Sequence, residues 1–284
     1  MAPTPGVTPV PAVTPGPVII GPASLDGPDS VPANTVFYVN WTGPNKTGDY
    51  VTIIAANKKK WSGEPYFYTY AGTPRQLQSA TTPGAYELRY IDGASKKVKA
   101  RRPITVTAFV GSLSAPDSVV GGTEFTVDWT GPASPGDYVT IEPVGATEWA
   151  GESYFYTYSN AHTGTLTAPL ADGPHELWYV AGDATVMLRE PITVTPVSAS
   201  VSGPASVTHG ATFAVSWTGP DATGDFITIV AVGAPEGSYL SYAYTQYGNP
   251  ATLTAPATAG QYELRYVFGG GDRPTLATAT IQVN

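Results

Sequence analysis

Cysteine is absent from this 284-residue chain, which excludes a disulfide framework, a thiolate metal centre and a cysteine nucleophile. Charge is scarce, at 13% of residues, and helix signals are almost missing. No uninterrupted apolar run approaches the ~20 residues that a membrane-spanning helix needs. The three histidines, His162, His175 and His209, are dispersed, and there is no GxSxG elbow, HExxH helix or Gly-rich phosphate loop. These absences read as a non-enzyme without a cofactor. What is plentiful is 31 Gly, 28 Pro and 18 Tyr, a composition suited to short strands joined by tight turns.

The chain repeats itself three times at a spacing of 88 residues, marked by Trp41, Trp129 and Trp217. The phrases VFYVNWTGP, EFTVDWTGP and FAVSWTGP are followed by GDYVTI from Gly48, GDYVTI from Gly136 and GDFITI from Gly224, and then by YFYTY, YFYTY and YAYT. A period this long lets each copy bury its own core, unlike the shorter units of a solenoid.

Phe37, Val39 and Trp41 alternate with Tyr38 and Asn40, and the pattern recurs at Phe125, Val127, Trp129 and at Phe213, Val215, Trp217. That is a half-buried strand. In the next strand Val51 and Ile53 oppose Thr52, and Val139 and Ile141 oppose Thr140. A later strand sets Leu88, Leu177 and Leu264 inward and Glu87, Glu176 and Glu263 outward, and PITVT, PITVT and TIQV close the copies. Turn signals at Gly43-Pro44, Pro83-Gly84 and Gly173-Pro174 fall at the spacing of an all-β sandwich. The expected fold is three tandem immunoglobulin-like β-sandwich domains in an elongated array, at 18–107, 108–196 and 197–284. Tyr86 and Tyr262 fit a tyrosine corner, with His175 in their place in repeat 2. Residues 1–17 read as a Pro/Thr-rich, polyproline-type linker. They lack the basic start and cleavable apolar block of a signal peptide. An initiator Met before such a linker leads to the expectation of a fragment whose missing part lies upstream.

The order WTGPxxxGDYVTI, YxYT, LTAP, GxYELRYV resembles the tandem immunoglobulin-like modules of bacterial surface or periplasmic proteins, often found after von Willebrand factor A domains. It is more distantly similar to SKICH domains. The resemblance covers residues 18–284. It implies an exported, periplasmic or cell-surface protein in which the array is a non-catalytic spacer or adhesion arm of a larger chain. The alternative is a carbohydrate- or polyanion-binding module array. No catalytic residues carry over.

Asp49, Asp137 and Asp225 stand singly before a strand, and the expected role is to accept backbone N–H bonds in the turn after TGP. Calcium would need clustered acids, and the junctions ITVTAFVGSL and ITVTPVSASV hold none. Charge is split between the copies. Residues 1–107 carry 11 of the 14 Lys and Arg against 6 acids, a balance of +5, whereas 108–196 stand at −10 and 197–284 at −3. Lys58, Lys59 and Lys60 are expected to adjoin Lys96, Lys97, Lys99, Arg101 and Arg102 as one basic patch for a surface polysaccharide or other polyanion; nucleic acid is not the expected partner. The same charges also read as edge-strand protection, or as a basic head that associates with the acidic second domain of another copy.

Aromatic residues offer a competing site. Tyr66, Tyr68 and Tyr70 share one face with Phe67 on the other, so rings are exposed unless something covers them; packing beneath a loop is the reading preferred here. Trp61 and Trp149 are equivalent, with Gly237 in the third copy. Trp178 stands where the sister copies have Arg89 and Arg265, on the outward face of a strand, and reads equally as an exposed binding ring or as ordinary packing. Flat exposed rings suit sugar faces or a protein partner. Two sequons, at Asn40 and Asn45, are assigned no role.

Overall fold

The alternating runs of all three copies form strands in the computed structural model, which describes residues 18–19 (backbone only), 22–149, 153–158 and 162–284. The expected linker at 1–17 lies outside the described residues. The first copy comprises β1 (Val18–Ile19), β2 (Ser24–Asp26), β3 (Ser30–Pro32), β4 (Val36–Thr42), β5 (Tyr50–Ala55), β6 (Tyr66–Tyr68), β7 (Arg75–Gln78), β8 (Gly84–Ile91) and β9 (Val98–Thr107). A small sheet, β2-β4-β7, faces a large one, β1-β9-β8-β5-β6, to which β3 adds by parallel pairing with β9.

The other copies repeat this plan. In the second, Ser112–Ser114, Glu124–Thr130 and Thr163–Thr167 make the small sheet; Ser118–Val120, Val186–Thr195, Gly173–Val180, Tyr138–Pro143 and Tyr154–Tyr156 make the large one. In the third, the small sheet is Ser200–Ser202, Thr212–Thr218 and Ala251–Thr254, and the large one Ser206–Val207, Thr275–Val283, Gly260–Val267, Phe226–Ala231 and Ser241–Tyr244. By internal packing the chain forms two units. One comprises residues up to 111 together with 131–134; the other, residues 112–130 and 135–284, holds two sandwiches.

Side-chain direction follows the two-residue period. Along β4, Phe37, Val39 and Trp41 are buried while Tyr38, Asn40 and Thr42 are exposed, and both sister strands match. Trp41 meets Tyr90 with ring centroids 5.8 Å apart; Trp129 meets Tyr179 at 6.2 Å and Trp217 meets Tyr266 at 5.7 Å. The large sheet departs from simple alternation. Thr52 does point away from Val51 and Ile53, yet Thr52 and Ile54 are as buried as they are. The outer face of the central strands is therefore covered too.

The recurring phrases converge on one buried knot. Asp49 is 1% exposed. Its Oδ2 accepts from the Tyr90 hydroxyl at 2.8 Å and the Lys46 N–H at 3.0 Å, and its Oδ1 from the Gly93 N–H at 2.8 Å. The Tyr90 hydroxyl accepts the Asn45 N–H in turn, and the Thr69 N–H donates to the Asp49 carbonyl. Asp225 repeats the set with Tyr266, Ala222 and Gly269; Asp137 has Tyr179 and Gly182. A buried carboxylate needs such partners to offset its lost hydration. The glycines follow from the same packing. A Cβ on Gly43 would lie 2.7 Å from the Tyr90 ring, and one on Gly93 2.2 Å from the Gly48 backbone. The hydroxyls of Tyr86 and Tyr262 donate to the Thr82 and Thr258 carbonyls at 2.9 and 3.0 Å, and His175 Nδ1 lies 3.2 Å from the Gly173 carbonyl.

Truncating a core indole should cost about 3–5 kcal/mol; Trp129→Ala is expected to lower the stability of its own repeat by that much in chemical denaturation. Unchanged unfolding would mean that the strand does not bury this face.

The knot also sets an alkaline limit. Burial, reinforced by the Asp225 carboxylate, pushes the Tyr266 phenol far above its usual range; burial likewise raises Tyr90, Tyr50 and Tyr138. A group raised in the folded state contributes stability that is complete below its unfolded value, ~10 for tyrosine, and is lost as pH rises through the folded value. Absorbance at the phenolate band should thus show Tyr90 and Tyr266 ionising only as the sandwiches open. A single titration near the free-phenol value for all 18 tyrosines would contradict the knot.

Candidate functional site

The cover over the outer face of the large sheet is the segment between β5 and β6, and rings stand out where it meets the edge strand. In β6, Phe67 pairs with Val51 and turns into the core. Tyr66 and Tyr68 consequently face outward beside Thr52 and Tyr50. Tyr70 follows in a short 3₁₀ turn, Thr69–Ala71. Trp61 packs edge-on against Tyr66 at 5.4 Å, Tyr66 against Tyr68 at 5.3 Å, and Tyr68 stacks on Tyr70 at 5.5 Å. The result is a four-ring ladder with Tyr50 at its base, 6.1 Å from Trp61. Its rings are exposed, Trp61 by 42% and Tyr70 by 73%, so the expectation that the tyrosines pack beneath a loop is corrected. Phe67 takes the inward place beside Val51, so the alternation turns Tyr66 and Tyr68 to the opposite face of the strand.

All three copies carry the ladder. In repeat 2, Trp149, Tyr154, Tyr156 and Tyr158 follow at 5.1, 5.4 and 5.5 Å. In repeat 3, Tyr239, Tyr242, Tyr244 and Tyr247 follow at 5.1, 5.4 and 6.3 Å. The third copy therefore does not lack the first ring, although Gly237 stands at the fixed spacing. Its covering segment keeps its length, and Tyr239 supplies the ring from two residues later. The separation of five residues between Trp61 and Tyr66 becomes three between Tyr239 and Tyr242, a shift that a search at constant spacing passes over.

Polar ties fix the covering segment in repeat 1. The Trp61 indole N–H donates to the Glu64 carbonyl at 2.8 Å, and Lys58 Nζ and the Ser62 N–H donate to the Glu64 carboxylate at 2.8 and 2.6 Å. Burial pulls the Glu64 carboxyl upward, but the bonds from Lys58 and Ser62 outweigh it and hold the group at about 2. From below, Arg89 Nη2 donates to the Lys58 carbonyl at 2.8 Å. Arg265 makes the same tie to Ala234 and Pro235 in repeat 3.

Trp178 occupies this floor position in repeat 2, and here the reading as an exposed binding ring is overturned. It is 1% exposed. Its N–H donates to Glu176 at 3.0 Å and the Arg189 guanidinium lies over its ring at 4.1 Å, a cation–π contact. These two partners hold the Glu176 carboxyl below its usual range. Its ring faces outward on the sheet yet is buried, so it offers no exposed ring.

The basic residues gather only in part. Lys59, Lys60 and Lys96 line one cleft of about 540 Å³ with Trp61, Tyr50, Tyr66 and Tyr68, and Lys96 Nζ lies 5.7 Å from the Tyr50 ring centroid. Lys97 is exposed in the adjoining turn. The others are committed elsewhere: Lys58 to Glu64, Lys99 to Asp92 at 3.8 Å, and Arg101 to Glu87 at 2.9 Å. Arg102 sits opposite the inward-facing Leu88 and bonds the Gly27 carbonyl and Asp29; it leaves the patch altogether. Among the described residues no group of three or more His, Asp or Glu side chains could hold a metal ion, and no helix is long and apolar enough to cross a membrane.

Three strands facing a larger sheet, three times over, define the class: an array of tandem immunoglobulin- or fibronectin-type III-like β-sandwich modules. No protein-family model matches the chain, and no curated protein matches it. Similar solved structures include the chicken CNTN1 FN1–FN3 domains, at 13% identity and a TM-score of 0.25, covering 95% of this chain and 100% of that one. Another is the Bacteroides ovatus mixed-linkage glucan utilization locus SGBP-B in complex with mixed-linkage heptasaccharide, at 16% and 0.20, covering 96% and 71%. The fibronectin(III)-like modules of Clostridium thermocellum CbhA are similar at 14% and 0.22, covering 61% and 93%.

Replacing Arg89 with Met should remove the tie to the Lys58 carbonyl at a cost of about 1–3 kcal/mol. Hydrogen exchange is expected to speed up over residues 56–65 while β8 and β9 keep their protection. Unaltered exchange in that segment would show that Arg89 does not hold it.

Proposed function

We propose that the chain is an interaction arm of a larger exported protein, and that it grips a glycan polymer through the ladder in each repeat. The observation that carries this reading is that a row of four exposed, mutually contacting rings recurs in all three copies, although neither core nor knot needs them. The other repeated phrases are used by the fold itself, since the Trp strand fills the core and the Asp, Gly and Thr positions build the knot. The ladder has no such use, and leaving rings such as Tyr70 and Tyr247 in water costs apolar hydration.

The chemistry suits sugars. Flat rings offer faces to the apolar side of a pyranose, and phenol hydroxyls bond its hydroxyl groups. The ladder itself is built of tyrosine and tryptophan, with Leu240 as an exposed aliphatic neighbour in repeat 3. A polymer reaching more than one ladder would gain from linkage without any new contact.

The triple variant Tyr68→Ser, Tyr156→Ser, Tyr244→Ser tests the reading by calorimetry on a panel of neutral and acidic glycans. Binding should fall about tenfold or more, while unfolding changes by no more than about 1 kcal/mol, as is usual for surface substitutions. Undiminished binding in this variant, or a panel with no binder, would refute it.

A further inference from the structure

We infer that the cleft beside the repeat 1 ladder selects an acidic sugar residue, with Lys60 and Lys96 as its specificity-determining groups. The inference rests on the ladder being a sugar-contact surface and adds the charge of the ligand. Lys59, Lys60 and Lys96 line the cleft, with Lys96 Nζ over the Tyr50 ring, and none of the three is in an ion pair among the described residues. The acids that could neutralise them are already used. Glu64 is held by Lys58 and Ser62, Glu87 by Arg89 and Arg101, and Asp92 by Ser95 and Lys99. The cleft thus presents uncompensated positive charge beside flat rings, the arrangement that would place a sugar on Trp61 and its carboxylate or sulfate on the lysines.

Backbone geometry places Lys96. It occupies the left-handed position of the turn between β8 and β9, at φ +56°, where a side chain other than glycine, asparagine or aspartate is uncommon. Its N–H bonds the Asp92 carbonyl while the Asp92 N–H bonds the Lys97 carbonyl, so the turn is closed on both sides. The same position holds Ala184 in repeat 2, at φ +67°. Ala146, Thr147 and Glu148 stand there at the spacing of Lys58, Lys59 and Lys60. Repeat 2 therefore has the ladder without the cations, and is the internal contrast: rings alone for a neutral sugar, rings with ammonium groups for an acidic one.

The test uses the full chain, titrated calorimetrically with oligogalacturonate and with its fully methyl-esterified form. At about 50 mM salt the acidic polymer should bind about tenfold tighter, and the preference should shrink at about 300 mM as screening shortens the reach of the lysines. Lys60→Glu with Lys96→Glu should abolish the preference and leave binding of the ester intact. Trp61→Ala should weaken both polymers; thermal unfolding of each variant establishes that it is folded, and Lys96→Ala, the residue repeat 2 already carries, should give an intermediate loss. Equal affinity for the two polymers, or a preference that survives the double reversal, overturns the inference; if Trp61→Ala still weakens binding, the ladder reading stands without it. Binding of neither polymer also overturns it. Inorganic polyphosphate bound as tightly as oligogalacturonate, and indifferent to Trp61→Ala, would make the contact electrostatic alone and overturn it as well.

Discussion

Each sandwich is organised around a carboxylate removed from water and tied to a tyrosine on the neighbouring strand of the large sheet. The Asp49 carboxylate gathers a phenol and two backbone N–H groups, and its own carbonyl holds the Thr69 turn. One residue thereby joins the turn after β4, the turn after β8 and the segment after β6. The constraint is severe because the partners are unforgiving: a buried polar group left unpaired costs more than the hydrogen bond returns. It also explains why glycine precedes Asp49 and follows Asp92. The two turns meet backbone to backbone, and no Cβ fits between Gly93 and Gly48. In a chain with no disulfide, the knot performs the cross-sheet fastening while remaining wholly non-covalent.

Much of this is legible in the sequence. Three parallel readings of one alternation fix the inward set of β4 and its sisters, and the lone aspartates are correctly read as acceptors of backbone bonds. What escapes is whatever depends on a third layer. Alternation assigns a residue to a face but does not say whether that face meets water. It places Trp178 outward, correctly, but exposure does not follow from that, because Arg189, its cross-strand partner on the same sheet, lies over the ring. Basic patches fail in a related way. A count of lysines and arginines along the chain does not see that Glu87 lies between Arg89 and Arg101 across two strands, or that Arg102 opposes Leu88. Tyr239 escapes because its ring keeps its place in space while its distance along the chain changes.

The large sheet is in effect two-sided. Its inner face shares the core with the small sheet; its outer face carries a second, smaller packing layer in which Thr52, Ile54 and Arg89 lie beneath the covering segment. The ladder is the margin of that layer, where the covering segment meets an edge strand only three residues long. Rings at such a margin are held from one side and open on the other, so they are positioned without being enclosed. Short edges also deny other chains a long template for strand pairing, which lets the same edge display rings and resist aggregation.

The floor residue beneath the cover has a practical consequence. Because Arg89 and Arg265 hold backbone carbonyls rather than particular side chains, the segment above them is free to change in sequence, as the third copy already shows with Tyr239. The knot that secures the sandwich lies at the opposite ends of the strands involved and is indifferent to such changes. The fold is in this respect a display frame: segments grafted between Ala56 and Pro65 would be carried on a cysteine-free body whose integrity does not depend on them, with three differently charged settings already built into one chain.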